Sequence, residues 1–245
     1  MTSKIEKEDL SRRNFVFGSI AAAGLTVAPG VMLYQTANAR DLSKPVSSKV
    51  RWGMLIDTTK DVDWNKCIEA CVKEHGLDNE EHSRADQRTQ YIRVVDVKNK
   101  TTGYSMSLPV MCQHCEKPPC VDVCPTGASM KREDGIVLVD RHRCIGCRYC
   151  MMACPYKARS FVHETLTDQK TTTPRGKGCV ESCNMCVNRV DNGQLPACVE
   201  VSEGAIVFGD LNDPESDISK LLAKHGGKQI RADLKLNPGV QYQGI

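Results

Sequence analysis

Two cysteine runs constrain this chain more than anything else in its 245 residues. One reads Cys112-x2-Cys115-x4-Cys120-x3-Cys124-Pro125, the other Cys144-x2-Cys147-x2-Cys150-x3-Cys154-Pro155. Three thiols this close in sequence curl around one site within a single loop. The x3 step starts a helical turn that carries the fourth thiol away to a neighbouring site. The proline then sets φ where no backbone N–H is required. Disulfides are the first alternative for a cysteine-rich chain, but thiols packed so tightly are poorly placed to bridge one another. Zinc ribbons use pairs of C-x2-C, and two consecutive four-cysteine runs, each closed by proline, go well beyond that.

The second run is the bacterial 4Fe–4S pattern without a mismatch, in which the fourth cysteine ligates the other cluster of a pair. Applied to both runs, the crossed rule puts Cys112, Cys115, Cys120 and Cys154 on cluster 1. Cys144, Cys147, Cys150 and Cys124 take cluster 2. Between the runs, Ala128–Met130 and Ile136–Val139 read as a hairpin turned at Glu133-Asp134-Gly135. Thr101-Thr102-Gly103 turns another, linking Tyr91–Val97 to Tyr104–Leu108. With 14 cysteines and only 5% aromatic residues, the core is thin, the condition under which small domains lean on staples or metals.

Two further cysteine groups flank the runs. Cys183-x2-Cys186 is followed after eleven residues by Cys198, and Cys67-x3-Cys71 looks like a remnant. His114 lies inside a cluster loop that already supplies three thiolates, so it reads as structural rather than as a ligand. The remaining histidines lack metal spacing. No nucleophile elbow, phosphate-binding glycine loop or catalytic carboxylate pair is present. A net charge of +3 makes no basic footprint for nucleic acid.

The N-terminus reads as an address. Ser11-Arg12-Arg13-Asn14-Phe15-Val16 leads an apolar run to about Tyr34, broken by Gly24, Pro29 and Gly30, and Ala37-Asn38-Ala39 supplies a small-x-small cleavage pattern. This resembles a bacterial twin-arginine signal over residues 1–39 rather than an anchor helix. The mature chain is expected to start at Arg40, in the periplasm. No later stretch is long and apolar enough to span a bilayer, so membrane association is expected to come through partner subunits.

Further stretches carry a family resemblance: Trp52-Gly53-Met54-Leu55-Ile56-Asp57, Cys112-Gln113-His114-Cys115, Pro118-Pro119-Cys120, Cys154-Pro155-Tyr156, Leu195-Pro196-Ala197-Cys198 and Gly209-Asp210-Leu211-Asn212-Asp213-Pro214. Across nearly all of residues 51–245 the chain resembles the four-cluster iron–sulfur subunits of molybdopterin oxidoreductases and related membrane complexes. The likeness is strongest to DsrO-type subunits, the exported ferredoxin-like component of sulfite-reductase-linked transmembrane complexes. The resemblance implies an α+β fold of tandem, duplicated bacterial 2[4Fe–4S] ferredoxin-like modules with short hairpins and insertions. An outer module (40–111 and 179–210) encloses an inner one (112–178), and 211–245 forms a partly helical, partly extended tail packed on the core or on a partner.

The resemblance also implies ligands for the outer pair. The family's first group has four cysteines, and two of those positions here are Asp61 and Trp64. The fourth group should end at residue 202, which is Ser202, followed by Glu203 instead of proline. By the crossed rule Cys183, Cys186, Cys198 and Cys71 hold cluster 3, whereas Asp61, Trp64, Cys67 and Ser202 mark a lost cluster. All three substitutions fall on that one site, which implies its loss as a unit and three remaining 4Fe–4S clusters. Cys67 and Cys179 are left over as ordinary thiols, with a disulfide between them open.

The expected function is a relay of single electrons, with no catalytic site. The implied partners are an integral membrane quinone-interacting subunit, a multi-heme cytochrome c and further subunits of a Dsr-type complex in sulfur metabolism. One alternative attaches the same relay to a polysulfide, tetrathionate or nitrite reductase. Another is an enzyme reducing a small substrate at an open cluster edge.

Overall fold

The computed structural model describes residues 46–245; the twin-arginine motif, the cleavage pattern and Arg40 lie outside the described residues. In chain order the elements are β1 (Trp52–Asp57), α1 (Trp64–His75), β2 (Ile92–Lys98), β3 (Ser105–Met111), α2 (Pro119–Asp122), β4 (Ser129–Lys131), β5 (Val137–Val139) and α3 (Tyr149–Ala153). They continue with β6 (Ser160–Phe161), β7 (Val180–Glu181), α4 (Val187–Val190), α5 (Ala197–Glu200), β8 (Ile206–Asp210), α6 (Asp217–His225), a 3-10 turn (Ala232–Leu234) and β9 (Val240–Gln243). The strands form four small sheets, ordered β8-β1-β9, β2-β3, β4-β5 and β6-β7. This is a mixed α and β fold of short elements joined by long loops.

β1 is the middle strand of its sheet, so its four inner residues are buried on both faces and read as a continuous apolar run. It pairs antiparallel with β8 from Trp52↔Asp210 to Ile56↔Ile206, and parallel with β9 from Met54↔Val240 to Asp57↔Gln243. Gly53 permits this: a Cβ there would sit 2.6 Å from the Gly239 carbonyl oxygen. β9 belongs to the segment expected as a tail, and that segment packs on the core. Tyr242 is fully buried; its hydroxyl donates to the Pro109 carbonyl (3.0 Å) and accepts from Gln113 Nε2 (3.1 Å). Gly239 N donates to the Gln113 carbonyl at 2.8 Å, so the C-terminal segment braces the Cys112–Cys115 loop.

Both expected hairpins form. β4 pairs with β5 from Ser129↔Val139 to Lys131↔Val137, and β2 pairs with β3 along seven residues. The base of the longer hairpin is buried at Ile92 and Met111, and its far end is exposed at Val97 and Tyr104. Helix α1 buries Trp64, Cys67, Cys71 and His75, a spacing that lines up one face of a helix. Asp63 caps its start by accepting from Asn65 N at 3.0 Å, and Gly76, left-handed at φ 60, ends it. Among the described residues no helix is long and apolar enough to cross a membrane.

Candidate iron–sulfur centres

The cysteine loops share one local geometry. The residue just before the second cysteine is left-handed in each: His114 (φ 43), Gly146 (φ 69) and Met185 (φ 53). A left-handed residue among right-handed neighbours gathers successive N–H groups into a concavity suited to anions and iron–sulfur groups. Short helices then carry the later thiols. Cys120 is the second residue of α2 and Cys150 of α3, while Cys124 lies just past α2 and Cys154 ends α3. The prolines that follow begin turns. α5 repeats α2, with Cys198 in second place and Ser202 where Cys124 would stand.

The fold brings cysteines from different loops together. Cys112, Cys115, Cys120 and Cys154 line one cavity with Tyr156 and Arg159. Burial first, and then the other three thiols of this set, push Cys115 up to about 12. Burial also raises Cys120, to about 11, although Arg159 pulls it down. Cys150 is raised by burial against the pull of Arg159, with Cys144 and Cys124 beside it. Cys71 is raised by burial and then by Cys183, Cys186 and Cys198, on segments more than a hundred residues away in sequence. Burial is the largest single influence on Cys124 and raises it, but several hydrogen bonds, including one from Ser129 N at 3.3 Å, together hold it low. All fourteen cysteines are free of disulfides.

The sets also adjoin one another. Cys183 of one set neighbours Cys112 of the next, and Cys120 of that set neighbours Cys150 of the third. At one end of this series Cys147 is exposed, as are Ile145, Tyr149 and Met152 of the same segment. At the opposite end Cys67 donates from Sγ to the Cys198 carbonyl at 3.5 Å.

Of the four positions in the fourth set only Cys67 is a thiol. Asp61 is exposed, Trp64 is buried in the core and has no ligating atom, and Cys67 is fully buried with its thiol pushed up to about 11 by burial. Ser202 is fully buried, and its hydroxyl donates to the Val199 carbonyl (2.8 Å) and accepts from Ile206 N (3.1 Å). Cys179 lies elsewhere, beside Cys144, donating to the Arg141 carbonyl at 3.3 Å. Cys67 and Cys179 therefore have separate surroundings and share no bridge.

His114 accepts from Val137 N at Nδ1 (3.0 Å), so its proton sits on Nε2. Burial holds its pKa down to about 3, and the ring is a neutral structural group. Three residues escaped the sequence reading. His75 Nδ1 lies 3.8 Å from Cys71 Sγ, and the i,i+4 spacing on α1 was a legible sign of it. Arg175 is buried and pairs with Glu181 (2.9 Å) and Glu80, tying the 76–91 segment to β7. Arg159 is buried beside Cys120. No pattern in the sequence marks either arginine.

With this geometry in view, comparison with known proteins is informative. A family model described as a 4Fe-4S dicluster domain matches residues 104–211. The chain is 38% identical to the Hdr-like menaquinol oxidoreductase iron-sulfur subunit 1 of Archaeoglobus fulgidus, over 95% of this chain and 97% of that protein. The chain belongs to the ferredoxin-type 4Fe–4S subunits of oxidoreductase complexes. A tetrathionate reductase subunit of Salmonella typhimurium is 36% identical over 97% of this chain and 89% of its own length. NrfC of Escherichia coli is 35% identical over 93% and 92%. This iron–sulfur subunit is thus an electron-transfer component, not a catalytic one, and its cofactors are 4Fe–4S clusters.

Proposed function

We propose that this subunit relays single electrons along a row of three 4Fe–4S clusters in a membrane-associated complex. Cys71, Cys183, Cys186 and Cys198 would hold one end. Cys112, Cys115, Cys120 and Cys154 would hold the middle, and Cys124, Cys144, Cys147 and Cys150 the other end. The clusters supply the one-electron chemistry; the chain supplies ligands, burial and hydrogen bonds that tune potential. The observation that carries this reading is the contiguity of the three thiol sets, with one set reaching the surface at Cys147. That exposed edge is a port for electron exchange with a partner.

Several finer assignments belong to the same reading. The chain is a duplicated pair of ferredoxin-like modules, an outer one (40–111 and 179–210) around an inner one (112–178). The β1–β8 pairing, which joins the first and fourth cysteine groups, supports this division. Segment 211–245 is then an appendage whose β9 completes the central sheet. The twin-arginine motif supports export to the periplasm, with Arg40 as the mature N-terminus. The loss of one cluster supports a Dsr-type complex of sulfur metabolism, with an integral membrane quinone-interacting subunit and a multi-heme cytochrome c as neighbours. A second reading places the same relay in a tetrathionate, polysulfide or nitrite reductase, favoured by the extent of the match to the tetrathionate reductase relative.

Anaerobic purification of the native complex tests these readings together. About twelve irons per chain, at four per cubane, a chain starting at Arg40, and a co-purifying heme protein with an integral membrane subunit are the expected result. About sixteen irons would sink the three-cluster assignment, and a molybdopterin subunit in place of the heme protein would select the second reading.

A further inference from the structure

Arg159 and Arg175 are buried to nearly the same degree, at 6% and 5% exposed, yet they are compensated in different ways. Arg175 meets two carboxylates, Glu80 and Glu181, as a guanidinium removed from water requires. Arg159 meets thiols. Its Nη2 donates to Cys120 Sγ at 3.1 Å and to Ser129 Oγ at 2.8 Å. Its Nε and Nη1 are buried with no partner among the described residues. The negative groups around it are Cys120 and Cys112 of the middle set and Cys150 of the exposed set. Arg159 also lines the cavity shared by Cys112, Cys115, Cys120 and Cys154.

We infer that Arg159 is a fixed positive charge that sets the reduction potential of the middle cluster, making it the most easily reduced of the three. The inference rests on the three-cluster reading above. Reduction adds one electron to a cluster–thiolate unit that already carries negative charge. A neighbouring cation and N–H donors to sulfur favour the more negative state, and net charge and hydrogen bonds to sulfur are the levers that tune such potentials. A guanidinium keeps its charge throughout the working pH range. The electron therefore arrives from an adjacent reduced cluster without a proton moving and without a bond made or broken. Arg159 reaches ligands of two sets, Cys120 and Cys150, so it acts on the middle site most and on the exposed site less. No ligand of the Cys71 set is among the main charged groups around Arg159, so that set is expected to respond least. The relay would then hold its electron in the interior until a partner docks at the exposed end.

The test is a redox titration of the anaerobically purified holoprotein followed by electron paramagnetic resonance, on the parent, Arg159→Gln and Arg159→Lys. The parent's iron content checks the three-cluster reading independently of either variant. In Arg159→Gln the iron content should stay at the parental value. The highest-potential signal should shift toward its oxidised form by at least about tenfold at fixed potential, or about 59 mV for one electron. Arg159→Lys keeps the charge but loses the planar fork, so it should shift the same signal by less. Unmoved titrations in Arg159→Gln with full iron, or equal shifts of all three signals, would overturn the inference. Should Arg159→Gln lose iron, Arg159→Lys and Ser129→Ala decide instead, the latter by releasing the guanidinium from its anchor. A downward shift of that one signal in either supports the role, and unmoved signals in both refute it.

Discussion

The residues around Cys112–Cys115, Cys144–Cys147 and Cys183–Cys186 and the residues around Asp61–Trp64 occupy equivalent places in the cysteine grammar, yet their backbones differ. In the three intact loops the residue before the second cysteine is left-handed. At the equivalent place before Trp64 stands Asp63, extended at φ −73 and serving as a helix cap. Where the two thiols are absent, the left-handed turn is absent too. The N–H groups of the first turn of α1 need an acceptor, and the Asp63 carboxylate supplies one. At the other end of the same site the Ser202 hydroxyl has been absorbed into the backbone bonds around α5. On the three-cluster reading proposed above, this is a decayed site turned into ordinary secondary structure, whereas the three cysteine loops keep their left-handed turns.

The largest effect should separate two cysteines one helical turn apart. Cys71→Ala removes a ligand from the proposed Cys183, Cys186 and Cys198 site and should cost about four irons, with loss of one paramagnetic signal. It should also loosen the outer segments, because metal–ligand energy is folding energy. Cys67→Ala, on the same face of α1, should leave iron unchanged. Equal iron in both variants would end the distinction between the two sites. Gly146→Ala probes an intact loop without touching a ligand. Its φ is +69, and a Cβ would fall 2.3 Å from the Gly178 carbonyl oxygen. The expected outcome is loss of the cluster on Cys144, Cys147, Cys150 and Cys124, while the other two signals persist.

Much of this contrast was legible in sequence because it is local. Closely spaced thiols and turn residues such as Glu133-Asp134-Gly135 specify loops and hairpins over a few positions. What escaped depends on convergence. Nothing in Val240–Gln243 announces that it will lie parallel to β1 and brace a cysteine loop. The central sheet becomes visible only when Gly53 and Gly239 are seen to touch. Arg159 and Arg175 look alike in sequence, and only the fold gives one a pair of carboxylates and the other a pair of thiol sets.

Trp64→Ala tests the proposed absence of a fourth cluster. The indole is buried among Cys67, Cys71 and their neighbours in the main core, on the rim of a surface hollow that includes Asp61. Close packing makes a vacated space of that size costly. Chemical denaturation should show a loss of about 3–5 kcal/mol, with iron unchanged. A loss of iron instead would mean that the indole shields a cluster rather than filling a former site.

The smallest effect, and the one that bears most directly on how the loop became a helix start, is that of Asp63→Ala. Asp63 Oδ1 accepts from Asn65 N at 3.0 Å in an exposed position, and such caps are worth about 1 kcal/mol. The loss should appear as a shift of the denaturation midpoint without a change in slope. Asp63→Asn, which keeps an acceptor oxygen, should recover most of it. On the three-cluster reading iron should stay at the parental value in both variants, because that reading gives the Asp63 turn no cluster to shape, unlike the left-handed turns at His114, Gly146 and Met185. If Asp63→Ala were to lose iron, the residues around 61–64 would still be shaping a cluster site, and the contrast between the decayed and intact loops would fail.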